Sequence, residues 1–282
     1  MAIIELNSIR FTYPSGTEAL HGVSLAVESG ESLAVIGQNG AGKTTMIKMV
    51  NGLLRPTEGT AHVFGEDIRT TSTAKIARTV GFVFQNPRTQ IFLSSVQAEA
   101  EFGPRKIGMP KEKVKEWVSY ALELVGLAGQ RETHPYDMTP ADRKLLTIAS
   151  IVSMDPQILI LDEPTGGLDY VAANRVVAVV EAYLAQGRTV ITVAHDMDFV
   201  ARCFKRVVVM NQGRVAADGP TSQVFSQHEL LASTHLEPTA ISQLAALCGL
   251  PKTLLTVEDM VKYVKEASGS LLSPKRGEKG RG

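Results

Sequence analysis

Cysteine is nearly missing from this 282-residue chain: Cys203 and Cys248 stand far apart and form no Cys-x-x-Cys. That argues against a disulfide framework or a thiolate metal site and makes a reducing cytoplasm the expected compartment. An excess of one charge is missing too, because 29 Lys+Arg balance 29 Asp+Glu. Bulk electrostatics therefore give no reason to expect a nucleic-acid partner. No apolar run approaches the ~18 residues of a membrane-spanning helix. The longest, Leu145 to Met154, contains Thr147 and Ser150 and reads as a buried helix. The first residues lack the basic start and apolar run of a secretory leader. If a membrane is involved, the chain is expected to sit beside it. No internal repeat is visible, so a second copy of the same domain is not expected.

With 44% hydrophobic and 21% charged residues, the composition is that of a folded chain with a real core. Its length suits one large domain plus an appendage. Strand-like stretches run from Ile3 to Phe11 and, after a turn at Ser29-Gly30, from Glu31 to Ile36. Short continuous apolar runs recur at 79–84, 158–161, 189–193 and 207–210. Runs of that kind are typical of buried parallel strands, and helical patterns separate them. The expected fold is α/β with a mostly parallel sheet. Between about residues 86 and 155 the strands stop and helical periodicity takes over, which reads as a helical insertion in a domain spanning 1–217. Residues 218–272, broken by Pro238 and Pro251, read as a small helical extension. The basic, Gly-rich segment 273–282 is expected to be a disordered tail.

The strongest local signal is Gly37-Gln38-Asn39-Gly40-Ala41-Gly42-Lys43-Thr44. It fits G-x-x-x-x-G-K-[ST], comes after a strand and precedes the helical run that starts at Thr45. Glycines allow a tight loop whose backbone N–H groups face phosphate oxygens, and the helix N-terminus adds a favourable dipole. Lys43 is expected to reach the β- and γ-phosphates of ATP, and the Thr44 hydroxyl to ligate Mg²⁺. The run Ile158-Leu159-Ile160-Leu161-Asp162-Glu163 ends a buried strand in two carboxylates at the sheet edge where α/β proteins bind ligands. Asp162 is expected to hold Mg²⁺ and Glu163 to act as general base on the attacking water.

Joined with the residues around them, these pieces resemble the ABC ATPase family over about residues 3–217. The resemblance implies an antiparallel β part beside the mostly parallel sheet, and further roles. Tyr13, in Phe11-Thr12-Tyr13-Pro14, falls where the family stacks an aromatic on adenine. Gln85, in Phe84-Gln85-Asn86-Pro87, matches the glutamine loop that contacts Mg²⁺. Pro164 to Asp169 looks like the D-loop that crosses the dimer interface. His195, in Val193-Ala194-His195-Asp196, matches the switch histidine that donates to the γ-phosphate.

One element departs from the family. Where Leu-Ser-Gly-Gly-Gln is usual, this chain has Met138-Thr139-Pro140-Ala141-Asp142. In the family that signature presents hydroxyl and N–H groups to the ATP held by the other subunit. Pro140 has no N–H, Ala141 adds a Cβ and Asp142 adds negative charge. A lost charge-assisted hydrogen bond costs roughly 1.5–3 kcal/mol, and a carboxylate about 5 Å from a phosphate charge roughly 3 kcal/mol at an effective dielectric near 20. The same residues make a good helix start, with Thr139 as cap and Pro140 in the first position. The expectation is a heterodimer in which this chain's Lys43, Asp162, Glu163 and His195 work with a partner's intact signature. A working homodimer that tolerates the variant is the alternative.

The stretch Gln85-Asn86-Pro87-Arg88-Thr89-Gln90-Ile91-Phe92, and after it Glu101-Phe102-Gly103-Pro104, resembles the energy-coupling-factor (ECF) subgroup of importer ATPases. That resemblance implies a second ATPase subunit, a transmembrane T component and a substrate-binding membrane S component. It also implies a peripheral site on the cytoplasmic face and a vitamin or transition-metal cargo selected by another chain. The C-terminal extension resembles that subgroup's dimer-contacting extension, more weakly. Another ABC transporter, a soluble ABC factor and a non-catalytic regulator remain as alternatives.

Overall fold

Two sheets of opposite character share one apolar layer in the computed structural model, which describes residues 2–250 and 253–272. The first sheet is antiparallel, built from β1 (Ala2–Thr12), β2 (Glu18–Glu28), β4 (Glu58–Val63) and β5 (Glu66–Asp67) in the order β2-β1-β4-β5. The second contains β3 (Ser32–Gly37), β6 (Val80–Val83), β7 (Ile158–Asp162), β8 (Thr189–Val193), β9 (Arg206–Asn211) and β10 (Arg214–Pro220). Its order is β10-β9-β3-β8-β7-β6, parallel throughout except that β10 runs antiparallel to β9.

The central strands are buried on both faces, which is why they read as unbroken apolar runs. In β3, Leu33 and Val35 enter the core shared with the antiparallel sheet, while Ala34 and Ile36 enter the core under the helices. In β7 the same alternation sends Ile158 and Ile160 one way, Leu159 and Leu161 the other. Helix α1 (Lys43–Val50) comes after β3 and packs Met46, Ile47 and Met49 between the sheets. A single turn, α2 (Thr73–Ile76), precedes β6.

Between β6 and β7 come α3 (Val96–Lys106), α4 (Lys111–Leu124) and α5 (Pro140–Val152), with no strand among the described residues there. Helices α6 (Tyr170–Ala185) and α7 (Met197–Cys203) complete the α/β layers. The chain continues into α8 (Thr221–Phe225), α9 (His228–Ser233), α10 (Ala240–Leu247) and α11 (Val257–Leu272). Val224, Phe225, Leu231 and Leu236 join the core under the sheet, so the first part of the extension is continuous with the main body. Among the described residues no helix is long and apolar enough to cross a membrane.

Four strands have no counterpart in the pattern of apolar runs: β2, β4, β5 and β10. In β2 the period of two is broken between Leu20 and Val23, where Gly22 adopts φ +84° and the pairing with β1 shifts register; an inserted residue moves later side chains to the other face. Strand β10 is an edge with no fully buried residue, so it carries no apolar signal. The break at Pro251 and the 273–282 tail lie outside the described residues.

Candidate nucleotide site

Strand β3 ends at Gly37 and α1 begins at Lys43, so the glycine loop lies at the C-terminal edge of the parallel sheet. Two glycines there are dictated by their neighbours. A Cβ on Gly37 (φ +149°) would lie 2.2 Å from the Met210 carbonyl oxygen of β9. One on Gly42 (φ +97°) would lie 2.7 Å from that of Ala19. Asn39 and Gly40 form the exposed crest, and Ala41 is buried beneath it. Lys43 is buried, and its Nζ donates to Gly37 O at 2.7 Å and Gln38 O at 2.8 Å. Burial pulls its pKa down, against the raising influence of Glu163 and Asp162. The Thr44 hydroxyl donates to Asp162 Oδ2 at 3.4 Å. Thr45 Oγ1 shares a 2.8 Å hydrogen bond with the Tyr13 hydroxyl, whose ring stands edge-on to Phe11 at 4.8 Å.

Adjacent strands β6, β7 and β8 deliver the remaining residues to the same edge. Asp162 closes β7 and is 4% exposed; its Oδ1 has no hydrogen-bond partner among the described residues. Burial, then the neighbouring Glu163, pushes its carboxyl pKa up. A buried, half-unpartnered carboxylate beside a threonine hydroxyl is an oxygen donor set that suits a hard divalent cation such as Mg²⁺. Glu163 comes next, in a left-handed conformation, φ +50°, uncommon for a residue with a side chain. Its Oε2 accepts from Gln85 Nε2 at 2.6 Å, and its Oε1 lies 3.3 Å from His195 Nε2. Gln85 thus reaches the site through its amide nitrogen, bonded to Glu163. A carboxylate steadied from two sides in this way can accept a proton from a water molecule.

Residues 20–166 match the ABC transporter family. The chain belongs to that family. A Geobacter sulfurreducens protein named as an ABC transporter ATP-binding protein is 40% identical over 88% of this chain and 98% of its own length. EcfA of Methanothermobacter thermautotrophicus, named as an energy-coupling factor transporter ATP-binding protein, is 39% identical over 84% of this chain and 78% of its own. Among solved structures, CbiO1 of Clostridium perfringens, described as part of the ABC transporter complex CbiONQ, superposes with a TM-score of 0.74. It is 30% identical and covers 88% of this chain and 99% of that one. The chain spans about half the length of two further curated relatives, 46% and 43%. The ECF-type resemblance and the α/β cassette fold read from the sequence are both borne out.

In this ABC cassette the run Met138-Thr139-Pro140-Ala141-Asp142 opens α5. Thr139 Oγ1 accepts from Asp142 N at 3.0 Å, Pro140 occupies the first turn, and both Thr139 and Pro140 are exposed. Gln90, in the stretch that resembles the ECF subgroup, turns its amide inward. Its Oε1 accepts from Phe84 N at 3.1 Å, and its Nε2 donates to Thr147 O at 2.9 Å and Ser150 Oγ at 3.2 Å. Two contacts escaped sequence reasoning altogether. Lys144 Nζ donates to Glu163 O at 2.7 Å and Gly166 O at 2.8 Å. Gln38 Nε2 meets His235 Nδ1, which brings the C-terminal extension to the glycine loop. The first had a visible trace: Lys144, Thr147, Ser150 and Ser153 recur every third residue in the otherwise apolar stretch 144–154. The second had none.

Proposed function

We propose that this cassette binds ATP with Mg²⁺ and hydrolyses it to ADP and phosphate, energising an ECF-type importer from the cytoplasmic face of the membrane. The observation that carries this reading is the convergence of Gln85 and His195 on the Glu163 carboxylate, beside the Lys43 loop. Backbone N–H groups of Gly40 to Thr45 cradle the phosphates, Tyr13 stacks on adenine, and Lys43 swings from its two carbonyls to the β- and γ-phosphates. Thr44, Asp162 and Gln85 hold Mg²⁺, which supplies charge neutralisation to the phosphate oxygens. Glu163 accepts the proton of the attacking water as its oxygen bonds to the γ-phosphorus. The bond from that phosphorus to the bridging oxygen breaks, and its electrons leave with ADP. His195 donates to the γ-phosphate oxygens through this change.

The working unit is a dimer with a second ATPase subunit, a heterodimer in our reading. The Thr139-to-Asp142 turn supports that choice, since Thr139 has already taken the Asp142 N–H and Pro140 offers none. A groove of about 580 Å³ at the C-terminal end of α5, lined by Gln90, Phe92, Phe102, Gly103, Lys106 and Met154, suits a coupling helix of the transmembrane T component. Leu247 (86% exposed) on α10 and Val257, Val261 and Val264 on α11 suit a dimer-contacting role for the extension beyond residue 217. The cargo, a vitamin or a transition-metal ion, is selected by the membrane S component.

The test is ATPase activity and native mass, measured on the chain alone and co-expressed with its genomic neighbours. Low activity alone, rising sharply in a one-to-one complex with a second cassette, is the expected result. Full, ATP-cooperative turnover by a homodimer would overturn the heterodimer.

A further inference from the structure

Glu163 is pinned by its backbone as well as by its side chain. Its N–H donates to Val193 O at 2.8 Å, on the neighbouring strand β8. Its carbonyl oxygen accepts from Lys144 Nζ at 2.7 Å, and the same ammonium holds the D-loop carbonyl of Gly166 at 2.8 Å. Between those anchors the residue sits at φ +50°. A left-handed conformation at a residue with a Cβ persists only where surrounding contacts over-determine it.

Lys144 is well suited to that task. It stands in the second turn of α5, is 7% exposed, and gives both of its hydrogen bonds to backbone carbonyls of the Glu163–Gly166 segment. Burying an ammonium is costly, and burial indeed pulls its pKa down. A helix that only had to pack here could carry leucine, as positions 145 and 146 do. The face of α5 that carries Lys144 is tied down further along: Gln90 bridges Phe84 N, the peptide next to Gln85, to Thr147 O and Ser150 Oγ. Ser153 Oγ donates to Ala100 O at 2.7 Å, fastening the same helix to α3. One rigid helix therefore links the groove, the glutamine loop and the backbone of Glu163.

The geometry points to Lys144 as a positioning residue for hydrolysis: its ammonium fixes the Glu163–Gly166 segment, so that the attitude of the Glu163 carboxylate tracks that of the signature helix. This rests on Glu163 being the base of the proposed reaction. Lys144 touches the backbone of the base and acts only through it.

The test uses the full chain in the assembly that turns over ATP, with Lys144→Met, Lys144→Arg, Glu163→Gln and the Lys144→Met/Glu163→Gln double variant. Displacing a reacting group by about 1 Å can cost on the order of 100-fold. Lys144→Met is therefore expected to lower kcat roughly 10- to 100-fold while KM for ATP and binding of a fluorescent ATP analogue stay nearly unchanged. Lys144→Arg, which keeps a cation and its donors, is expected to recover most of the loss. In the Glu163→Gln background, Lys144→Met should add no further loss, because residues acting through one step are not additive. Lys144→Met with full kcat overturns the proposal, as does a loss of nucleotide binding equal to the loss of turnover, or multiplicative effects in the double variant. Should Lys144→Met fail to fold, the kcat of a folded Lys144→Arg decides: near-normal turnover supports the proposal, and a loss as large as in Glu163→Gln overturns it. Unchanged turnover in Glu163→Gln itself would instead remove the base, and with it the reading of the whole site.

Discussion

Helices α1 and α5 begin by opposite means. Helix α1 starts behind Gly42 with no side-chain cap at all. Helix α5 starts behind Thr139, whose hydroxyl takes the Asp142 N–H, and with Pro140 in the first turn. A missing cap costs a helix about 1 kcal/mol, so the first arrangement is the weaker helix start and the better anion receptor. Its N–H groups are left for a ligand to satisfy. In the second, the helix satisfies itself and little is left to offer a phosphate. The contrast teaches that capping and phosphate recognition compete for the same backbone donors, and that this chain resolves the competition differently at its two helix starts.

The largest expected effect tests the α1 side. Glu163→Gln should lower turnover at least about 100-fold while nucleotide still binds, read by steady-state ATPase rates beside equilibrium binding of a labelled nucleotide. Next comes the α5 side. Replacing Thr139→Ser, Pro140→Gly, Ala141→Gly and Asp142→Gln together should raise turnover of the chain purified alone by about tenfold or more, from a regained hydrogen bond and a removed charge. No gain would mean that the missing Pro140 N–H and the Asp142 charge do not limit α5, and the contrast between the two starts would lose its functional meaning.

A third expectation concerns Asp162, whose folded pKa is raised by burial first and by Glu163 second. A raised folded pKa gives stability that is present below the ordinary carboxylate pKa and lost as pH rises through the folded value. The ligand-free protein should therefore lose stability as pH climbs out of the acid range, and Asp162→Asn should melt higher than the parent at neutral pH. The same variant should lose the stabilisation that MgATP confers, a comparison that thermal melts with and without nucleotide make directly. The smallest effect is expected for Thr139→Ala. It removes a cap worth about 1 kcal/mol and should lower Tm by a few degrees without altering ATP binding in the Lys43 loop.

Much of the nucleotide face is legible in the sequence because its residues cluster. Gly37 to Thr44 are contiguous, Asp162 and Glu163 are adjacent, and each group ends or succeeds a strand that announces itself by being apolar. Gln85 and His195, two residues beyond β6 and β8, are legible through the family resemblance. Lys144 escapes notice because its partners, Glu163 O and Gly166 O, are backbone atoms that no motif names. The Gln38–His235 contact joins residues almost two hundred positions apart and has no local signature. Gln90 stands out in the sequence, but not its direction: spacing identifies a residue, whereas the aim of its amide depends on Thr147 and Ser150 across the fold. Strand β2 is hidden by a single residue, Gly22, that shifts its phase.

The position of β3 has a consequence for how the molecule is made. This apolar hexapeptide pairs with β8, Ser32 opposite Val190, and with β9, Leu33 opposite Arg206. At translation rates of about 5–20 residues per second, its neighbours leave the ribosome roughly 8–30 s after it does. Until then the antiparallel sheet of β1, β2, β4 and β5, and later the helices α3 to α5, can form from nearer residues, since distant pairings wait on loop closure. The strand that carries the glycine loop is thus the one left longest without its edges, and it needs shielding during synthesis. A chain stalled before residue 190 would carry every residue of the loop and still lack both strands that pair with β3.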